Sequence, residues 1–247
     1  MPEIKIIQKP EKNKPFLVIY KPKGLPSAPL SENETETALS QAIRLYPDIK
    51  NVKGKKNIEY GLLHRIDTPT DGLLLIALTQ DFYDYMLEEQ KQNRFIKEYT
   101  AECDVCTRPI PDGFPEIEKT YEKLSSGTHF QLKSYFRNFG EGSKSVRPVT
   151  EKSGKAALKK LKSSKEYITK VEIIEIKENK VKVKCKISQG YRHQVRCHLA
   201  WAGLPIIGDT IYNINDGSKE EKLHFCATGL YFTNPVTKLE EKYNLNC

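Results

Sequence analysis

The chain has 247 residues, 38% of them hydrophobic and 29% charged, which is enough apolar material for a packed core and excludes an intrinsically disordered polymer. No apolar run is long enough to span a membrane. The opening residues, MPEIKIIQKPEKNKPF, lack the apolar core and small-residue cleavage site of a secretory leader, so a cytoplasmic protein without membrane contact is expected. The formal net charge of +8 suits a polyanionic partner, although solubility alone can also explain a basic excess.

Residues 1–15 read as a lysine-rich lead-in, followed by an apolar β-type run at 16–20 that ends in the turn signal Lys21-Pro22-Lys23-Gly24. Leu39, Ala42, Ile43 and Tyr46 recur at helical spacing over 36–46, and Pro47 stops that helix. Residues 50–57 form a basic loop. The stretch LHRIDTPTDGLLLIA, residues 63–77, then sets His64, Arg65 and Asp67 directly before a turn. Pro69 disfavours helix at Thr68, Asp71-Gly72 is a turn pair, and residues 73–77 are a bare apolar strand. A loop mounted on a buried strand is a common way to present reactive groups, and Asp67 is the candidate; the plainer alternative is that Asp67 caps its own turn.

Thr79 is placed to cap a helix running to about Asn93, with Phe82, Met86 and Leu87 on one face. Residues 95–103 alternate like a strand with Lys97, Tyr99, Ala101 and Cys103 on one side. Residues 107–170 carry little periodicity, and the basic stretch 152–170 suits either a solvated surface or an RNA contact. A hairpin is predicted from 171–176 to 181–187 around Glu178-Asn179, with Val181, Val183, Cys185 and Ile187 inward and three lysines outward. Gly190 breaks the second strand. A short helix from about His193 to Ala202 presents Val195 and Leu199 on one face and stops at Gly203; a tight apolar loop at 204–209 and a strand at 223–232 follow. These elements predict an α+β fold, a mixed and mostly antiparallel sheet with flanking helices, built as a single domain over 16–247. Six cysteines, at 103, 106, 185, 197, 226 and 247, are expected to be free thiols. Cys103 and Cys106 form a lone CxxC without the second pair that a structural zinc site needs, so no metal is expected.

The motif HRID-x-x-T-x-GLLL-x-A resembles the signature of the RluA-like family of pseudouridine synthases, the ribosomal large-subunit type. Four further stretches match in the family's order: VIYKPKG at 18–24, FIKEYTA at 95–101, GYRHQVRCHLA at 190–200 with GLPIIGD at 203–209, and LHFCA at 223–227 with Asn234-Pro235. The resemblance implies a catalytic domain with a central RNA-binding cleft and no separate N-terminal RNA-binding domain. Its reaction is the isomerisation of uridine in structured rRNA or tRNA by a monomer without cofactor. By the same resemblance Asp67 is the nucleophile, Tyr99 the active-site tyrosine and Arg196 the basic partner of the aspartate, while Arg65, Arg192, His193 and Gln194 contact RNA. The chain departs from the family in having Asp71 where serine is common, and Tyr191-Arg192 where Arg-Thr is common. Two alternatives stand beside this reading. One is an RNA-binding module of the same fold without turnover. The other is a base-excising glycosylase, which would want a second carboxylate, and only Asp71 is near in sequence.

Overall fold

Phe16, Leu17, Val18 and Ile19 are all completely buried in strand β2 (Phe16–Lys21), which explains why this run shows no polar alternation. In the computed structural model, which describes residues 2–31, 34–105, 112–117, 124–161, 164–213 and 222–246, β2 lies between two antiparallel partners. On one side is β1 (Lys5–Gln8), in register Lys5 to Tyr20, and on the other β3 (Asp71–Ala77), in register Phe16 to Ala77. Residues 1–15, read as a lead-in, thus contribute a strand. The alternating exposure along KIIQ is that of an edge strand, and four residues are too few for the pattern to be recognised in isolation.

The chain packs as two compact units, residues 1–98 with 226–247, and residues 99–225. In the first, β3 continues into a parallel pairing with β9 (Phe225–Thr233), and β10 (Glu240–Asn244) pairs antiparallel with β9. Helix α1 (Ala38–Leu45) starts at a reciprocal capping box between Thr37 and Ser40. Helix α2 (Gln80–Lys91) starts at Thr79, whose hydroxyl accepts from the Phe82 N–H as the sequence predicts. Phe82 and Met86 go into a core with Phe16, Leu73, Leu75 and Phe95, where Phe82 stacks on Phe16 at 4.9 Å.

The second unit holds β4 (Ile96–Asp104, entering from the first unit), β5 (His129–Phe139), β6 (Ser145–Val149), the short helix α3 (Lys155–Leu158), β7 (Tyr167–Lys177) and β8 (Lys180–Ile187). Among the described residues its strands run in the order β4-β8-β7-β5-β6. The β7–β8 hairpin turns at Glu178, in the left-handed region, and pairs Val171 with Cys185 and Ile173 with Val183, as the alternation requires. Helix α4 (Gln194–Trp201) differs from the one-faced helix expected, because all eight of its residues are buried. Its polar side chains are each satisfied internally: His198 lies between the Ser134 and Thr169 hydroxyls at 2.9 and 2.8 Å, and Trp201 donates to the Pro115 carbonyl at 2.8 Å. Cys103, Cys185, Cys197 and Cys226 are free and buried, while Cys106 and Cys247 lie outside the described residues.

Candidate active site

In the first unit the loop bearing Asp67 is held on both sides by main-chain bonds. The Ser27 hydroxyl donates to the Ile66 carbonyl at 2.7 Å and accepts from the Ile66 N–H at 3.1 Å. Beyond Asp67, the Thr68 carbonyl accepts from the Gly24 N–H at 2.9 Å and from the Lys21 ammonium at 3.3 Å, and the Thr70 N–H closes back on the Asp67 carbonyl at 3.0 Å. The turn that ends β2 is therefore the clamp of the loop that precedes β3. Lys21 is fully buried and also donates to the Leu25 and Pro22 carbonyls. Desolvation lowers its amine to about 8, outweighing the attraction of Asp71 and Asp67. Asp67 itself is half-buried.

The neighbouring residues of the motif have separate work. His64 accepts from the Leu75 N–H at 3.2 Å and meets the edge of Phe95, and burial pushes its imidazole down to about 3, so it is a neutral structural group. Arg65, expected to contact RNA, extends an exposed side chain whose guanidinium bonds the largely buried Glu59 at 3.0 Å. Asp71 accepts from the Tyr20 hydroxyl at 2.8 Å and pairs with Lys23 at 3.7 Å, which gives a carboxylate at this position two partners. Gly72 cannot be replaced without cost: its φ is +130°, and an added Cβ would sit 2.3 Å from the Ala227 carbonyl oxygen of the adjacent strand.

In the second unit Tyr99 lies on β4, 7% exposed, with its ring stacked on Phe225 at 5.1 Å. Three of the other expected residues gather at the start of α4. The buried Gln194 amide accepts from the Tyr191 N–H at 2.9 Å and donates to the Ile168 carbonyl and the Thr169 hydroxyl, so it fixes the helix start from within. His193 takes a left-handed backbone at φ 56° and shares a 3.2 Å hydrogen bond with the Tyr212 hydroxyl. The exposed Arg192 donates to the carbonyls of Ser143 and Ser145.

Arg196, one turn along α4, is 3% exposed and bonds Asp209 in a two-pronged pair, Nε to Oδ2 and Nη2 to Oδ1, both at 2.8 Å. Asp209 is equally buried, and its Oδ1 also accepts the N–H groups of Ile211 and Tyr212. The carboxylate thus fixes the guanidinium's plane and is itself fixed by the backbone that follows it. Asp209 ends the stretch GLPIIGD, and a lone carboxylate closing an apolar loop is the signal the sequence offers for its role. Among the described residues no cluster of histidine, cysteine and carboxylate could hold a metal ion. No helix is long and apolar enough to cross a membrane.

The chain belongs to the RNA pseudouridylate synthase family, whose model matches residues 15–201. It is 24% identical over 246 residues to ribosomal large subunit pseudouridine synthase D of Blochmanniella floridana, covering 93% of this chain and 65% of that protein. It is 26% identical over 242 residues to the protein of the same name in Salmonella typhimurium, covering 93% and 63%. An uncharacterized RNA pseudouridine synthase of Mycoplasma pneumoniae is 25% identical, covering 91% and 62%. The chain thus spans less than two thirds of the length of these relatives. Two human structures share the fold at 18% identity. RNA pseudouridylate synthase domain containing 1 has a TM-score of 0.65, covering 99% of this chain and 84% of that one. Domain containing 4 has a TM-score of 0.59, covering 98% and 87%. The expected α+β pseudouridine synthase fold is therefore the fold observed.

The lysine of the FIKEYTA stretch makes a testable demand on stability. Lys97 is 3% exposed, its ammonium lies 4.3 Å from the centre of the Phe95 ring, and desolvation lowers its amine to about 7. The native chain then sheds a proton near pH 7 that the unfolded chain keeps to about pH 10.4, so stability rises with pH through this window. Between pH 7 and 8.5 the expected gain is about 1.5 kcal/mol in urea unfolding. Lys97→Met should remove that contribution and leave the smaller rise that Lys21, lowered to about 8, adds over the same window, whereas an unchanged slope in the variant would assign the effect to another group.

Proposed function

We propose that this protein isomerises uridine in structured RNA, ribosomal or transfer, to pseudouridine, with Asp67 as the nucleophile. The observation that carries the reading is the doubly pinned loop of Asp67, lying within a family match that covers most of the chain. The names of the relatives support the reaction class and a ribosomal substrate.

In this reaction the N1–C1′ bond of the target uridine breaks, the uracil turns, and a C5–C1′ bond forms; the C5 proton is lost to water and N1 takes one up, so the composition is unchanged. The change is redox-neutral and internal to one nucleoside, so it calls for no metal or organic cofactor. Asp67 supplies the carboxylate that attacks; whether it reaches the sugar or the ring first is a separate question of pathway. Tyr99 offers a ring and a hydroxyl to the uracil, and Arg196 the positive charge that complements the aspartate. A stacked uridine must leave the helix to be attacked, and Arg65, Arg192 and His193 are the groups assigned to the RNA around it, with Gln194 holding the turn that presents two of them. The protein acts as a cytoplasmic monomer in this reading, and its macromolecular partner is RNA.

The test uses cellular RNA tritiated at uracil C5. Forming the new bond expels the label, so the protein should release tritium to water with the RNA otherwise intact. Free uracil in the products would identify a glycosylase instead. Binding of the RNA without release of either product would leave an RNA-binding module.

A further inference from the structure

The hairpin of β5 and β6 carries four cationic side chains, Lys133, Arg137, Lys144 and Arg147, against the single carboxylate of Glu141. Arg137 and Arg147 stand directly opposite each other in the ladder, a placement that like charges normally avoid. Their guanidinium groups lie 5.0 and 4.2 Å from the centre of the same Phe139 ring. Neither arginine forms a salt bridge among the described residues. Arg147 spends its donors on the Asp112 and Val146 carbonyls and the Ser145 hydroxyl, and Arg137 donates to the Gly113 carbonyl. Among the described residues the buried Arg137 Nε has no hydrogen-bond partner. Arg192 adds a third guanidinium at the Ser143 and Ser145 carbonyls, and Lys144 lies exposed between those two serines. Carbonyl oxygens satisfy donors but do not neutralise charge, so the cluster holds several positive charges close together, and a bound anion would lower the cost of their repulsion.

The hairpin is fastened to the helix that carries Arg196. The Tyr212 hydroxyl accepts from the Val146 N–H at 3.0 Å, and the Tyr212 ring centre is 5.9 Å from the Arg147 guanidinium and 5.6 Å from that of Arg196. An anion at the cluster would therefore be held at a fixed position relative to Arg196.

We infer that the β5–β6 hairpin is a phosphate clamp for the RNA strand, with Arg137 and Lys144 binding backbone phosphodiesters while Arg147 and Phe139 brace them. This rests on the reading of RNA as substrate. The planar fork of Arg137 suits a phosphodiester, a contact that positions the strand without reading its sequence.

The test is the salt dependence of binding to fluorescein-labelled oligouridylate, followed by anisotropy across a range of KCl concentrations. Each lost phosphate contact should reduce the magnitude of the slope of log affinity against log salt by about 0.7 for a single strand. Arg137→Gln, which keeps a donor for Gly113, and Lys144→Gln on the exposed turn should each show that loss. Lys9→Gln, an exposed lysine in the other unit, should not. Slopes for Arg137→Gln and Lys144→Gln equal to that of Lys9→Gln would overturn the clamp. Tritium release by the wild type is scored separately. Loss of slope without any release would uphold the clamp while removing the isomerase, and release with unaltered slopes would do the reverse.

Discussion

Asp67→Ala should abolish tritium release, by at least about 10⁴-fold in kcat/KM, the scale seen when a catalytic group at the reacting centre is deleted. It should do so with a change in unfolding free energy below about 1 kcal/mol, as for a substitution away from the core. The reason is the division of labour in the loop. Ser27, Gly24, Lys21 and Thr70 grip the main chain at Ile66, Thr68 and Asp67, and every one of those bonds survives loss of the carboxylate. The loop should hold its shape and lose its chemistry. Asp67→Asn, nearly the same size, should be as inactive, because an amide is no nucleophile here. Turnover within tenfold of wild type in either variant would mean that another group attacks, and the assignment of Asp67 would be withdrawn.

Asp209→Ala should have the opposite profile, with stability lost along with activity. Removing one member of a buried, two-pronged ion pair leaves the other charge without compensation, at a cost of about 3–5 kcal/mol. Arg196 would lose the two carboxylate bonds from its Nε and Nη2, and the N–H groups of Ile211 and Tyr212 would lose their acceptor as well. Asp209→Asn should fall between, since its oxygen still accepts but cannot neutralise. The informative companion is Arg196→Met with Asp209→Leu, which removes both charges at once. It should recover the part of the stability lost to the uncompensated charge but not the part lost with the acceptor of the Ile211 and Tyr212 N–H groups, so its urea-unfolding free energy should lie between those of Asp209→Ala and the wild type, with no tritium release. A stability loss below about 1 kcal/mol in Asp209→Ala would show that the pair contributes little to folding, and recovery of activity in the double variant would remove Arg196 from the chemistry.

Much of the site was visible in the order of residues, and the parts that were not share a cause. HRID before an apolar strand marked the loop, which depends on a few neighbouring residues; Asp71-Gly72, expected as a turn pair, instead opens β3, because Gly72 pairs with Lys21 on one side and Ala227 on the other. The positions of Tyr99, Arg192, His193 and Arg196 came from motif resemblance. The identity of what each touches did not. Arg65 bonds Glu59, and Gln194 bonds the Tyr191 N–H, the Ile168 carbonyl and the Thr169 hydroxyl. Such partners come from other elements, and a single sequence carries no record of them.

The sequence by itself determined the strands at 16–20 and 73–77, the helix stopped by Pro47 and the one capped by Thr79, the hairpin at Glu178, and membership of an α+β class. All of these are set by periodicity, capping and turn chemistry acting over a few residues. Only the tertiary structure decided that residues 5–8 are a strand, that α4 is buried on every side, that Lys21 clamps a loop 47 residues away, and that Arg196 is held by Asp209. A four-residue edge strand has too little pattern of its own, and the burial of a lysine or an arginine is settled by whether distant groups can satisfy its charge and donors when it leaves water.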